Sequence, residues 1–383
     1  MVCITNAKVV LENGIIWDGV VVVDNDKIIE VGDARDVKIP NGAEIIDANG
    51  KYVGPGFVDI HVHGGGDYMF WRDPENAAKY FLERGETTIL ATFGYTIPYD
   101  EYLEAIDKVK NVMAEGEYGK AIAGFYMEGP YMNPKFGSEA WKNQWQNTIS
   151  EESCSEFVNR AGDAVKVWAV APERENIEVF MEYAKKVNPD VVFAFGHSEA
   201  TAQQCERLKK YGIRLETHCT NAIHTHSEWG GTLGAGVDEF CFLNPDMYAE
   251  MICDSMGIHV NSYIQRIIMQ HKGLDKVVLI SDGVVSNDPP PAGKEYITDL
   301  SFDANGGLNG SKLSLDLACR NIMHHTNCGI AQAFLMASTN PAKAIGMGDE
   351  VGTIEAGKKA NLVFVDDMFN VSDVMFEGNL INK

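Results

Sequence analysis

Eight apolar runs recur between residues 57 and 283, and segments with helical spacing separate several of them. No other feature constrains the fold as much. The runs are FVDIHVH, TTILATF, AIAGFYMEG, VKVWAVAPE, VVFAFGHS, IRLETHCT, MYAEMICDS and KVVLISDG; the intervening segments include PENAAKYFLERG, DEYLEAIDKVKNVM, ENIEVFMEYAKKV and TAQQCERLKKYG. Strand–helix alternation repeated eight times predicts an α/β chain closed into a (β/α)8 TIM barrel. The competing arrangement is an open doubly wound sheet, but no GxGxxG turn follows an early strand.

The two ends of the chain read differently. CITNAKVVL, GIIWDGVVVV, KIIEVG and AEIIDANG are short β-type runs joined by turn pairs, and VGTIEAG, ANLVFVD and DVMFEGNLI repeat the style. The expectation is a small β-sandwich domain built from residues 1–54 and 350–383, with the barrel at 55–349. NDPPPAGKE, at 287–295, reads as a stiff extended loop after the last barrel strand.

In a barrel of this kind, chemistry collects at the C-terminal ends of the strands. There the first run carries His61 and His63, the third Glu128, the fifth His197, the sixth His218 and the eighth Asp282. His61 and His63 are two residues apart on a strand, so their imidazoles project to one side, just before Gly64-Gly65-Gly66. Imidazole and carboxylate donors suit Zn²⁺ and related divalent ions. Asp282, which ends the last strand before Gly283, is the expected general base and acid.

Composition narrows the class further. At 383 residues, with 45% hydrophobic and 23% charged residues, the chain is expected to be a soluble globular protein. The formal net charge of −23 provides no basic footprint for nucleic acid, and an anionic substrate would need local positive groups. No apolar run approaches the roughly 20 residues needed to span a membrane, and the N-terminus lacks a signal-peptide pattern, so a cytoplasmic location is expected. The eight cysteines form no CxxC pair, which argues against a zinc ribbon or a disulfide scaffold; Cys219 lies beside one of the motifs below.

FVDIHVHGG, YMEGPYMNP, GHSEAT, THCTNA, MGIHV, ISDG and STNPAKAIGMGDEVGTIEAGKKANLVFVD occur in the order found in the amidohydrolase superfamily. Across nearly the whole chain they most resemble its N-acetylglucosamine-6-phosphate deacetylase branch. The resemblance implies metal-dependent hydrolysis of the acetamide of an N-acetylated amino sugar. Glu128, His197 and His218 would hold one ion, and His61 and His63 would add a second site with Glu128. The ion is expected to be Zn, with Mn, Fe, Co or Ni as alternatives. Asp282 would activate the attacking water and protonate the leaving amine. Asn221, Ala222 and His259 would hold the sugar. The expected partners are a small amino-sugar substrate and a second copy in a homodimer, with no nucleic acid and no membrane.

Two positions depart from the branch pattern. Its members carry KG-[AT]-H after the metal-binding Glu, where this chain reads KFGSEA and offers Glu139, an acceptor when ionised. After the NA pair they carry an Arg that grips the 6-phosphate, where this chain has Trp229 and no Arg between Thr217 and Val260. A substrate without phosphate is therefore an expectation beside the phosphorylated one. Lys135 and Lys294 are the candidate replacement cations, and His224 and His226 are candidate substrate contacts. Other readings are hydrolysis of an N-acyl amino acid or cyclic amide, and a non-catalytic scaffold.

Overall fold

The computed structural model describes residues 1–224, 229 and 231–381. One eight-stranded sheet comprises Phe57–Val62, Glu86–Gly94, Ile122–Glu128, Val165–Val170, Val192–Phe195, Ile213–Glu216, Tyr248–Ile252 and Val277–Ile280, each parallel to the next. The ring is joined beyond the strand ends, where Asp282 N donates to His61 O (2.9 Å) and His63 N donates to Gly283 O (2.9 Å). These are the eight runs expected from the sequence. They read as apolar because a parallel strand is covered on both faces, by the barrel interior and by the helix layer.

A helix follows each strand, the last being Leu315–Thr326 after the eighth. Helix Ile177–Val187 shows why they sit where they do: Ile177, Phe180, Met181 and Ala184 form one buried stripe. Helix Glu151–Ala161 begins with a capping box between Ser150 and Ser153, which satisfies donors of its first turn.

The second sheet joins both ends of the chain, in the order Asn379–Leu380, Val371–Phe376, Leu362–Val365, Tyr52–Pro55, Val2–Leu11, Gly14–Asp24 and Lys27–Asp33, with Glu44–Asp47 also paired to Val2–Leu11. Strand alternation divides its contacts. Leu362 and Phe364 pack into the terminal sheet's own core with Ile4, Val9 and Val21. Val363 and Val365 face the barrel core. There Phe57, Phe334 and Phe369 pack ring against ring, with centroids 5.0 to 5.9 Å apart.

One element was not expected. After the proline-rich loop, Leu300–Phe302 and Leu308–Ser311 form a hairpin at the barrel mouth. Ser311 N donates to Asp282 O (2.8 Å) and Val284 N to Ser311 O (2.9 Å), so the hairpin extends the eighth strand.

Candidate metal centre at the barrel mouth

Glu128 is the last residue of the third strand, and His197, His218 and Asp282 each stand two residues beyond a strand end. All three of the latter have positive φ, at 46°, 30° and 45°. This left-handed conformation costs about 1–3 kcal/mol for a non-glycine residue and persists only where the surroundings over-determine it. The surroundings do so here. His197 O accepts from Asn133 N (3.0 Å), and His218 O accepts from Asn221 N (2.9 Å). His218 N donates to Glu250 Oε2 (3.1 Å). Asp282 is held on one side by His61 and on the other by Ser311. Gly310 completes that clamp, since a Cβ there would lie 2.5 Å from Asp282 O.

Turned inward this way, the side chains converge. Glu128 Oε1 lies 2.8 Å from His197 Nε2 and 2.9 Å from His218 Nε2, and the two nitrogens are 3.0 Å apart. A tetrahedral ion with bonds of about 2.0–2.1 Å sets its ligand atoms about 3.3 Å apart. The three atoms are thus near the spacing that one ion would impose. The other oxygen of Glu128 faces His63 Nε2 at 3.2 Å, and Asp282 Oδ1 lies 3.4 Å from the same nitrogen. His61 is fully buried beneath them, its Nε2 without a hydrogen-bond partner and 3.6 Å from Asp282 Oδ1. His61 Nδ1 meets Glu250 Oε2 at 3.1 Å. A proton on Nδ1 shared with Glu250 leaves the Nε2 lone pair aimed into the cluster, the arrangement that orients a metal-bound imidazole. Two overlapping donor sets result, Glu128–His197–His218 and His61–His63–Glu128, and both fit a divalent ion.

The charges are strongly coupled. Burial lowers the His63 imidazole, but the Asp282 and Glu128 carboxylates outweigh it and raise it to about 10. His218 is likewise depressed by burial and raised on balance to about 9, chiefly by Glu128. Burial raises Glu128, yet its histidine partners hold it well below the usual carboxylate range. Asp282 is also lowered on balance, its hydrogen bond to His63 and the charges of His61 and His63 overcoming burial.

Above the cluster opens a cavity of about 590 Å³. Asn221, Ala222, His259 and Glu139 line it. His259 N donates to Asp254 Oδ2 (2.8 Å), one of several loop amides that this carboxylate gathers. Glu139 Oε1 pairs with Lys142 Nζ at 2.6 Å. Gly137 lets its loop approach His197: a Cβ there would fall 2.5 Å from the ring. Trp229 is 75% exposed and, with His224, lies outside the lining formed by the described residues. His226 lies outside the described residues. Lys135 is paired with Glu199, and neither it nor Lys294 lines the cavity.

Two residues escaped the sequence reading. Glu250 was hidden within MYAEMICDS, where a lone carboxylate in an apolar run was the available signal. Arg72 comes from the loop after the first strand and is the single Lys or Arg among the described lining residues; its guanidinium stacks on Trp71, 4.1 Å from the ring centroid.

A parallel barrel bearing a shared carboxylate between two imidazole pairs agrees with sequence comparison: a model of the amidohydrolase family matches residues 52–381, and the chain belongs to that family. It is 29% identical to the N-acetylglucosamine-6-phosphate deacetylase of Vibrio furnissii, over 95% of this chain and 91% of that protein. It is 26% identical to the N-acetylgalactosamine-6-phosphate deacetylase of Escherichia coli O157:H7, over 89% of this chain and 90% of the other. Among solved structures, the N-acetylglucosamine-6-phosphate deacetylase of Pasteurella multocida superposes with a TM-score of 0.86 at 25% identity, and each chain is covered in full.

Proposed function

We propose that the chain removes acetate from an N-acetylated amino sugar carrying a 6-phosphate. The observation that carries the reading is the Glu128 carboxylate, faced by two histidine pairs at the floor of the cavity with Asp282 beside it. Glu128, His197 and His218 would hold one divalent ion, most simply Zn²⁺, and His61 and His63 with Glu128 a second. Such an ion supplies Lewis-acid polarisation of the amide carbonyl and acidifies water.

The remaining work falls to the chain's own groups. Asp282, held ionised, takes a proton from the attacking water as the carbon–oxygen bond forms. It returns that proton to the amide nitrogen as the carbon–nitrogen bond breaks, leaving acetate and a free amine. Asn221, Ala222 and His259 orient the sugar ring, and Glu139 accepts from a hydroxyl. Arg72 meets the phosphate: stacked on Trp71, its planar fork suits a bidentate oxyanion contact.

The deciding experiment is acetate release from N-acetylglucosamine, N-acetylgalactosamine and N-acetylmannosamine, each with and without a 6-phosphate. The phosphorylated sugars are expected to react faster. Arg72→Met should cut kcat/KM for them by about tenfold to a hundredfold, the worth of one charged hydrogen-bonding group, and leave the free sugars unaffected. Equal turnover of free and phosphorylated sugars would remove the phosphate from the proposal. No acetate from any of the six would remove the amino sugar.

Two further outcomes test the metal assignment. His63 and His218 are raised to about 10 and 9, so both imidazoles carry protons at pH 7 before an ion binds. Binding must displace them. Calorimetry of Zn²⁺ binding in buffers of different ionisation enthalpy should show proton release at pH 7, and affinity should rise with pH until those values are passed. Glu250→Gln should weaken metal retention about tenfold to a hundredfold, through loss of the charged partner that His61 Nδ1 and the His218 amide share.

We also infer a cytoplasmic homodimer with domains at 55–349 and at 1–54 with 350–383. The two separate sheets support the division. The eight free, buried cysteines suit a reducing compartment.

A further inference from the structure

Behind the loop that carries His218 lies a second group of donor side chains that the proposed reaction does not use. Glu216 ends the sixth barrel strand, Cys219 follows in the loop, and Asp238 belongs to the first turn of helix Val237–Leu243. One ligand atom from each lies within 4.8 Å of the others. Glu216 is fully buried, and neither of its carboxylate oxygens has a hydrogen-bond partner. Cys219 is equally buried. Cys241 follows Asp238 at i+3, hence on the same face of the helix, and is buried too.

An unpartnered carboxylate in the interior is costly, and a second carboxylate beside it adds repulsion. A cation between them relieves both. Thiolate with carboxylate is a donor set suited to zinc and its neighbours, whereas calcium and magnesium take oxygen alone. We propose that Glu216, Cys219 and Asp238 bind a structural divalent ion of the zinc type, separate from the ions at the barrel mouth. The site has a definite mechanical place. Thr220 N donates to Asp238 Oδ1 (3.2 Å) and Cys219 N to Glu250 O (2.8 Å), so an ion here ties the loop bearing His218, Asn221 and Ala222 to the helix behind it.

The two donor sets at the mouth, His61–His63–Glu128 and Glu128–His197–His218, are nitrogen and oxygen, so thiolate sulfur is the diagnostic. The full-length protein, produced in cobalt-supplemented medium, should show a thiolate-to-cobalt charge-transfer band in the near ultraviolet. Cys219→Ser should abolish that band and lower cobalt content by one equivalent per chain, with the visible d–d bands of the mouth retained. Asp238→Asn, at a half-buried position, should weaken the band and serves as the second variant if the first does not fold. The proposal fails if the wild-type cobalt protein has no thiolate band, or if the band survives unchanged in either variant.

Discussion

Asp282→Asn is expected to lower kcat by about two to four orders of magnitude, the usual worth of a positioned general acid–base, while the bound metal stays in place. Asn keeps the shape of the side chain and an oxygen that can face His61 and His63, 3.6 and 3.4 Å from the present Oδ1. It cannot accept and return a proton. Asn is also the better choice on backbone grounds. Asp282 sits at φ 45°, a conformation that Asn tolerates and Ala does not, so Asp282→Ala would mix strain with lost chemistry. The clamp from Ser311 N and to His61 O uses main-chain atoms and survives the change. Metal content and melting temperature should therefore match the parent while acetate release collapses. Activity within tenfold of the parent would remove Asp282 from the proton-transfer role.

The barrel was legible because parallel strands are buried on both sides. Each appears as a compact apolar run, and a histidine or carboxylate at its end stands out. That contrast picked out His61, His63, Glu128, His197, His218 and Asp282, the groups that meet at the mouth. The same contrast failed for Glu250, whose carboxylate lies within its strand, where end-reading does not look. Loop geometry was less legible still. The branch pattern expects a phosphate-binding cation on the loop after the sixth strand, where this chain has Trp229, which stands outside the described lining. The cation that does line the cavity, Arg72, comes from the loop after the first strand. Sequence order does not say which loops lean over the mouth, because that depends on how each packs on its neighbours. The hairpin at 300–311 carries its own signal, the ANGGLNG turn, but its strands of three and four residues are too short to stand out as runs.

Glu128→Gln is expected to empty both ion positions together. The two oxygens of Glu128 divide the cluster: Oε1 meets His197 and His218 at 2.8 and 2.9 Å, and Oε2 meets His63 at 3.2 Å. Gln preserves volume but carries no charge, and one of its two terminal atoms becomes a donor. Whichever way the amide turns, one histidine group faces N–H where it had a lone pair, and the other keeps only a neutral oxygen. The loss should exceed the roughly tenfold to hundredfold cost of removing an outer partner such as Glu250. Bound metal also stabilises the fold by mass action, by about 2.7 kcal/mol when free ion is at a hundred times its dissociation constant. The parent should thus melt lower in a chelator, and the variant should show a smaller chelator shift, with only the ion proposed at Glu216, Cys219 and Asp238 left to lose. His63→Ala is the contrast, because it touches one donor set and should leave one equivalent bound at the mouth. If Glu128→Gln keeps one full equivalent in a Cys219→Ser background, where the proposed sulfur site is lost, the carboxylate serves a single ion, and the histidine pair that retains metal does so without it.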